Sequence, residues 1–445
     1  MGAEQNTDDR KARAAVRAGA LAYFVDQFDI YLPIVTLAPA TAYFQSRDLD
    51  PATTAILDAL VFVSTLIARP IGAAVFGHFA DRTGRKNTTL VAVAGFGVTT
   101  LLIALLPGYQ SIGMWSVGLL IALRFVDGFF LGGEYTTAVP LAMEWSSKRR
   151  RGLNSGLITA TSPGAYSVIA LITLGLLAVL PSAGVDSAYA QWGWRIPFVI
   201  GSVLAALLFV SYWRTVEESR PGGGGGETTS PLVALFTGAH RRDLAQVFVL
   251  MTGVWLANNM ANAVMPGLLK SHLGLTSSQV TVTMVVATAA SALSYPLFGH
   301  LSQVVGRRRF YLGIGLAMAV GCSAAYAALV TVGTSLGPSL GAALPLAVVV
   351  EVLGIGTFGP IAAYLTERFP VEIRASGYGV GYSLALIVPA FYAFYLNGLG
   401  AVMPSYFGPV ALVVLAGLFV LVGAVIGPET KDNEMGVSPA LPERV

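Results

Sequence analysis

Seven ionisable side chains stand inside long apolar stretches of this 445-residue chain: Asp26, Asp29, Arg69, Arg124, Asp127, Glu134 and Glu351. At bilayer depth each such group is expensive, so each is a candidate for function. Acids and bases at that depth can carry a proton or hold a charged solute through a guanidinium–carboxylate bond. Asp26 and Asp29 are three apart and share a helix face. At 100° per residue, Arg124, Asp127 and Glu134 fall within about 80° of arc. Two charged stripes are therefore expected, facing each other across a water-filled centre. Five acids against two bases leave a negative excess if all are ionised. Burial disfavours the charged form, so some of these acids are expected to hold protons. Asp26, Asp29, Arg124, Asp127, Glu134 and Glu351 are the proton-coupling candidates, with Asp29 or Glu134 as principal carrier and Arg124 as its modulator. The plainer reading of Arg124–Asp127 and of Asp26–Arg69 is a static ion pair that fixes helix packing.

Solute-binding candidates follow from the same reasoning. Arg69 lies about 18 Å along a helix from Asp81, near mid-membrane, and is the cation expected to meet a carboxylate. Asn258, Asn259 and Asn262 cluster before Pro266, and the first and last share a helix face. Their amides need partners in an apolar medium and suit hydrogen bonding to a solute. Tyr364 and Tyr392 are candidate aromatic walls.

The elements that position these groups are membrane helices. Hydrophobic residues make up 55% of the chain and charged residues only 11%, against about 25% charged in soluble domains. Twelve apolar runs are expected as helices over 17–44, 55–80, 88–107, 115–145, 152–181, 194–214, 244–270, 278–303, 309–332, 340–366, 373–399 and 405–427. Each is far longer than the ~10-residue alternating segments of a barrel. Placing the N-terminus in the cytoplasm puts twenty-two of twenty-seven Lys and Arg residues on that side. The positive-inside rule therefore sets both termini inside, in the plasma (inner) membrane. The expected division is a cytoplasmic segment 1–16, a six-helix bundle 17–214, a flexible cytoplasmic linker 215–243, a second six-helix bundle 244–427 and a tail 428–445. The linker carries Gly222 to Gly226, which lacks the Lys-Ser/Thr of a phosphate cradle. The single Cys322 excludes an internal disulfide, and the four histidines show no metal-ligand spacing. No cleaved signal peptide is expected. No cofactor, metal, nucleic-acid partner or enzymatic activity is expected, because no nucleophile–base pair or metal set stands at bilayer depth.

The chain also repeats itself. Gly77-His78 precedes Gly84-Arg85-Lys86, and 222 residues later Gly299-His300 precedes Gly306-Arg307-Arg308. Glu144 lies seven residues before Arg151, and Glu367 seven before Arg374. A duplicated half in so apolar a chain marks a two-bundle transporter. The repeated loops read as a gate latch that forms in one conformation and breaks in the other. In it, Asp81 neutralises a helix N-terminus or pairs with a guanidinium, and Arg82, Arg85 and Lys86 hold Glu144 or carbonyl groups. Glu144–Arg151 and Glu367–Arg374 are expected as the matching pairs. Gly77, Gly84, Gly299 and Gly306 allow close helix contact and sharp turns, and Arg307 repeats Arg85.

These residues resemble a known family. Gly77…Asp81-Arg82-x-Gly84-Arg85-Lys86 is similar to the signature loop of the major facilitator superfamily. Arg69-Pro70-x-Gly72, Arg124-Phe125-Val126-Asp127-Gly128 through Gly133-Glu134-Tyr135, and Gly193-Trp194-Arg195-Ile196-Pro197-Phe198 resemble its metabolite:proton symporter branch. Asp26-Gln27-Phe28-Asp29, Asp127 and Gln303 depart from the usual pattern of that branch. The resemblance implies an all-α fold of twelve transmembrane helices in two six-helix bundles, with spans one, four, seven and ten around a central cavity. It implies a monomeric, proton-coupled importer of a small polar metabolite, by preference a small organic acid. A zwitterion such as proline or a betaine, a cationic drug exported against protons, and a non-transporting sensor are the alternatives.

Overall fold

The computed structural model describes residues 2–46, 48–181, 184–216, 230–238, 240–335 and 339–435. Twelve helices are long and apolar enough to cross a membrane: α1 Arg13–Leu37, α2 Ile56–Thr83, α3 Arg85–Ala104, α4 Trp115–Glu144, α5 Arg151–Val179, α6 Tyr189–Thr215, α7 His240–Ser271, α8 Ser277–Val305, α9 Arg307–Gly333, α10 Leu340–Arg368, α11 Val371–Gly400 and α12 Ser405–Ile426. No strand occurs among the described residues. In hydrocarbon a backbone must satisfy its own polar groups, and runs of this length do so as helices. Large apolar side chains such as Val91, Leu207, Leu297 and Val320 are exposed, which suits a lipid surface.

The expected spans match these helices to within a few residues at most ends. The first differs. Its α-helix runs continuously from Gly2 to Leu32, so the polar N-terminal segment is helical too. Pro33 then starts a wider π turn to Leu37, followed by a 3-10 turn over Ala38–Tyr43; proline's missing N–H breaks the regular ladder there. The linker also differs at its end. Its middle, 217–229 with the glycine run, lies outside the described residues. Pro231–Phe236 forms a short helix with Leu235 fully buried, and the Ser230 hydroxyl sits 3.3 Å from His78 Nδ1.

Small residues decide which helices touch. A Cβ added at Gly128 would strike the Thr65 backbone, and one at Gly132 the Arg69 carbonyl. Glycine therefore lets α4 lie directly on α2. This contact brings Arg69 beneath Tyr135. Farther along, α2 packs on α11 and α5 on α8, joining the first six helices to the second six. Several spans are interrupted along their length, two of them at positions that bear on the site. A π segment over Asn259–Val264 opens α7, and a 3-10 turn over Gly356–Phe358 opens α10.

Candidate functional site

Six of the seven central charges form two discrete groups within the first six helices. In one, Arg69 Nη2 donates to both Asp26 oxygens at 3.3 and 3.4 Å. Gln27 Nε2 donates to Asp26 Oδ2 at 2.8 Å, and the Ser162 hydroxyl donates to Gln27 Oε1 at 2.8 Å. The Arg69 guanidinium lies 4.7 Å over the Tyr135 ring, a cation–π contact. The charges of Asp26 and Arg69 act on Glu134, whose two carboxyl oxygens are buried without a hydrogen-bond donor among the described residues. In the other group, Arg124 Nη1 lies 2.7 Å from Asp127 and 3.1 Å from Asp29. The Thr100 hydroxyl donates to Asp29 at 2.6 Å.

This arrangement corrects the expected stripes. Asp29, Arg124 and Asp127 bond directly to one another rather than facing across water. All seven charges are buried to 2% exposure or less. Of them, Arg69 alone lines a central cavity of about 50 Å³, beside Gln27, Tyr31, Phe62, Tyr166 and Trp255. Asn258, Asn259 and Asn262 line it from α7. Asn262 donates to Asn258 at 3.1 Å, and Asn259 donates to the Pro389 carbonyl at 2.8 Å. Asn258 and Asn262 thus stay half-buried while Asn259 is held to α11. The π segment turns these amides inward, since it widens the helix where they sit.

A second cavity of about 580 Å³ adjoins the first, sharing Ile34, Phe62, Tyr166, Asn262 and Ala263 with it. Tyr392, Asp58 and Gln45 also line it. It lies at the helix ends away from Asp81. Tyr364 is placed elsewhere. It is buried toward the opposite end of α10, accepts a hydrogen bond from Gln246 at 2.9 Å and tilts against Tyr311. It lines neither central cavity, so it is no solute wall in this conformation. Glu351 also lies away from both cavities. It is buried with neither oxygen hydrogen-bonded among the described residues.

At the end bearing the basic loops, the molecule is closed by paired charges. Asp81 accepts hydrogen bonds from the backbone N–H groups of Ala375 and Ser376, both at 2.9 Å, and from the Ser376 hydroxyl at 2.8 Å. These donors are the unsatisfied N–H groups that open the helix Arg374–Leu384. Glu144 pairs with Arg85 and, at 2.8 Å, with Arg374. Glu367 pairs with Arg307 at 3.0 Å and with Arg151 at 3.2 Å. The expected pairs Glu144–Arg151 and Glu367–Arg374 have therefore exchanged partners between the halves. Arg85, rather than Arg82, meets Glu144. Arg82 is exposed and makes no ion pair among the described residues. Lys86 is half-buried beside this latch. Gly84 and Gly306 have φ of 109° and 105°, the region where glycine costs least.

Sequence reasoning missed two parts of this region. Gln27, Tyr31, Tyr166 and Trp255 line the centre, yet aromatics inside a span carry no signal that separates cavity from packing. The segment after α12 was also missed. Thr430 Oγ1 donates to Glu367 at 2.8 Å, and Arg151 and Arg374 donate to the carbonyls of Asn433 and Met435 at 3.2 and 3.0 Å. The polar run Glu429-Thr430-Lys431 directly after an apolar helix was the available hint.

Comparison with known proteins agrees with the fold. Residues 19–257 match the model of the Major Facilitator Superfamily, and residues 211–435 match that of sugar (and other) transporters. An inner membrane metabolite transport protein of Escherichia coli K12 is 28% identical, covering 92% of this chain and 93% of its own. The alpha-ketoglutarate permease of the same organism is 30% identical, covering 85% of each chain. Among solved structures, the proton:xylose symporter XylE bound to 6-bromo-6-deoxy-D-glucose superposes with a TM-score of 0.80. The two are 16% identical, over 97% of this chain and 98% of that one.

Proposed function

The chain belongs to the major facilitator superfamily, and from that membership we propose that this metabolite transporter imports a small organic anion together with protons. It is a multi-pass protein of the inner membrane, with the fold and relatives of transporters rather than enzymes. The observation that carries the proposal is the position of Arg69 between Asp26 and the central cavity. While Asp26 is ionised it occupies the guanidinium. A proton on Asp26 weakens that pair and leaves Arg69 able to hold a carboxylate arriving from the cavity. Proton and anion then favour each other's binding, and the coupling is reciprocal. Glu134 supplies a second acid to the same guanidinium. Asp29 and Asp127 form a like pair around Arg124, and one proton on either group balances its charge.

The basic loops face the cytoplasm by the positive-inside rule, with both termini on that side. The latched end is then the cytoplasmic one, and the larger cavity faces outward. Rocking of the two halves about the centre would break the latch and open the site inward. A second reading draws on the aromatic lining. Tyr31, Phe62, Tyr166 and Trp255 surround the centre and suit the cationic group of a zwitterion such as a betaine.

Uptake by reconstituted vesicles tests the proposal. An inward-directed proton gradient should accumulate a small organic acid, and a protonophore should abolish accumulation. Arg69→Ala should lose uptake of the acid at least about tenfold, while Asp26→Asn should retain exchange of acid across the membrane but lose accumulation. Uptake indifferent to the gradient, or a betaine transported in preference to every acid, would sink the anion-symport reading.

A further inference from the structure

The loops used for the latch do not account for every basic residue at that end. Arg308 and Arg309 follow Arg307 at the start of α9, and Lys431 follows α12. Together with Val305, Leu312 and Glu429 they line a pocket of about 470 Å³. Its charge is not balanced locally. Glu429 is the one acid in the lining, and both its oxygens are already taken. They accept from the backbone N–H groups of Arg307 at 2.8 Å, Arg308 at 3.2 Å, Thr430 at 3.0 Å and Lys431 at 3.1 Å. The Arg308 guanidinium is fixed in place by the last carbonyls of α12, with donations to Ala424 at 3.2 Å and Val425 at 2.8 Å. Arg309 and Lys431 make no ion pair among the described residues.

The walls beside this pocket are bare hydrocarbon. Val304, Leu316, Val425 and Ile426 are all more than half exposed. Three cations therefore converge where an apolar helix surface ends. A soluble anion has no use for the apolar flank, and a neutral lipid has no use for the cations. One ligand chemistry uses both: a phosphate diester carrying acyl chains.

We propose that this pocket binds the headgroup of an anionic phospholipid. Its phosphate lies among Arg308, Arg309 and Lys431, and its chains run along Val304, Leu316 and Val425. Clusters of Lys and Arg at the cytoplasmic interface attract such lipids additively. The site is independent of the solute and proton chemistry above, so each reading can fail without the other.

The full chain, purified in neutral detergent, is titrated with phosphatidylglycerol, phosphatidylcholine or inorganic phosphate while its melting temperature is followed. Phosphatidylglycerol should raise the melting temperature saturably, and neither phosphatidylcholine nor phosphate should. The double variant Arg309→Ala/Lys431→Ala should need at least about tenfold more phosphatidylglycerol for half the effect. Arg149→Ala/Arg150→Ala, which removes two exposed basic residues elsewhere at this end, should titrate like the parent. Should the double variant fold poorly, Arg309→Gln alone is read by counting lipids retained in native mass spectrometry, with fewer expected. An equal response to phosphatidylcholine, a full response to phosphate alone, or undiminished lipid binding by Arg309→Ala/Lys431→Ala and by Arg309→Gln would overturn the proposal.

Discussion

The two copies of the gate motif occupy equivalent places but close by different electrostatics. In the first, Asp81 brings a full charge to the N–H groups that open α11's helix Arg374–Leu384. In the second, the corresponding Gln303 offers a neutral amide oxygen, which accepts from Gly152 N at 3.3 Å and from Arg307 at 2.6 Å. Around them the sets match. Glu144 lies between Arg85 and Arg374, and Glu367 between Arg307 and Arg151. A Cβ at Gly77 would meet the Ser376 backbone, and one at Gly299 the Gly152 backbone. The shared core is thus a buried acid between two guanidinium groups. The charge–dipole contact is an addition made on one side alone. The chain after α12 braces both sides, the second through Thr430 and Asn433 on Glu367 and the first through the Met435 carbonyl on Arg374.

The largest effect should come from the shared core. Glu144→Gln or Glu367→Gln leaves two buried guanidinium groups without their acid, a loss of about 3–5 kcal/mol for a broken buried pair. Spin labels at the exposed positions Thr83 and Glu372 should report separation of this end in both variants. The double exchange Glu144→Arg/Arg374→Glu should restore part of the closed population. Unchanged distances in both single variants would remove the latch role. A smaller effect is expected from Asp81→Asn, which gives up the charge–dipole contact, worth about 0.3–2 kcal/mol. Turnover should change more than affinity for solute, and a pure affinity change would show that Asp81 acts elsewhere. The smallest effect is a gain. Gln303→Asp should strengthen closure by about 0.3–1 kcal/mol, since it places a charge at the N-terminus of α5. Labelled distances should narrow slightly; a widening would mean that Arg307 needs the neutral amide.

The architecture was legible because its signals are local. Apolar run length specifies a span, and a repeat at fixed offset specifies equivalent loops. The residues of the latch were legible for the same reason, but their pairing was not. Glu144 and Arg151 are separated by one short loop, so proximity in sequence suggested that they bond. The backbone contact of Gly152 with Gly299 instead carries Arg151 over to Glu367, and that of Ser376 with Gly77 carries Arg374 to Glu144. Such helix contacts depend on glycines far apart in the chain. The same holds at the centre. Helical angle placed Arg124, Asp127 and Glu134 on one side of α4, but their neighbours were set by Gly128 and Gly132 lying on α2. Tyr364 was misjudged because it stands one turn from the end of α10, where it packs on Gln246 and Tyr311 instead of the centre.

The crossed bonds of Glu144 with Arg374 and Glu367 with Arg151 bear on ancestry. Two separate six-helix polypeptides of one sequence, meeting about a twofold axis, would each lend an arginine to the other's glutamate in this same manner. Fusion of such a homodimer into one gene would preserve every one of these bonds while freeing each side to mutate alone, and glutamine at 303 opposite aspartate at 81 is the kind of divergence that freedom permits.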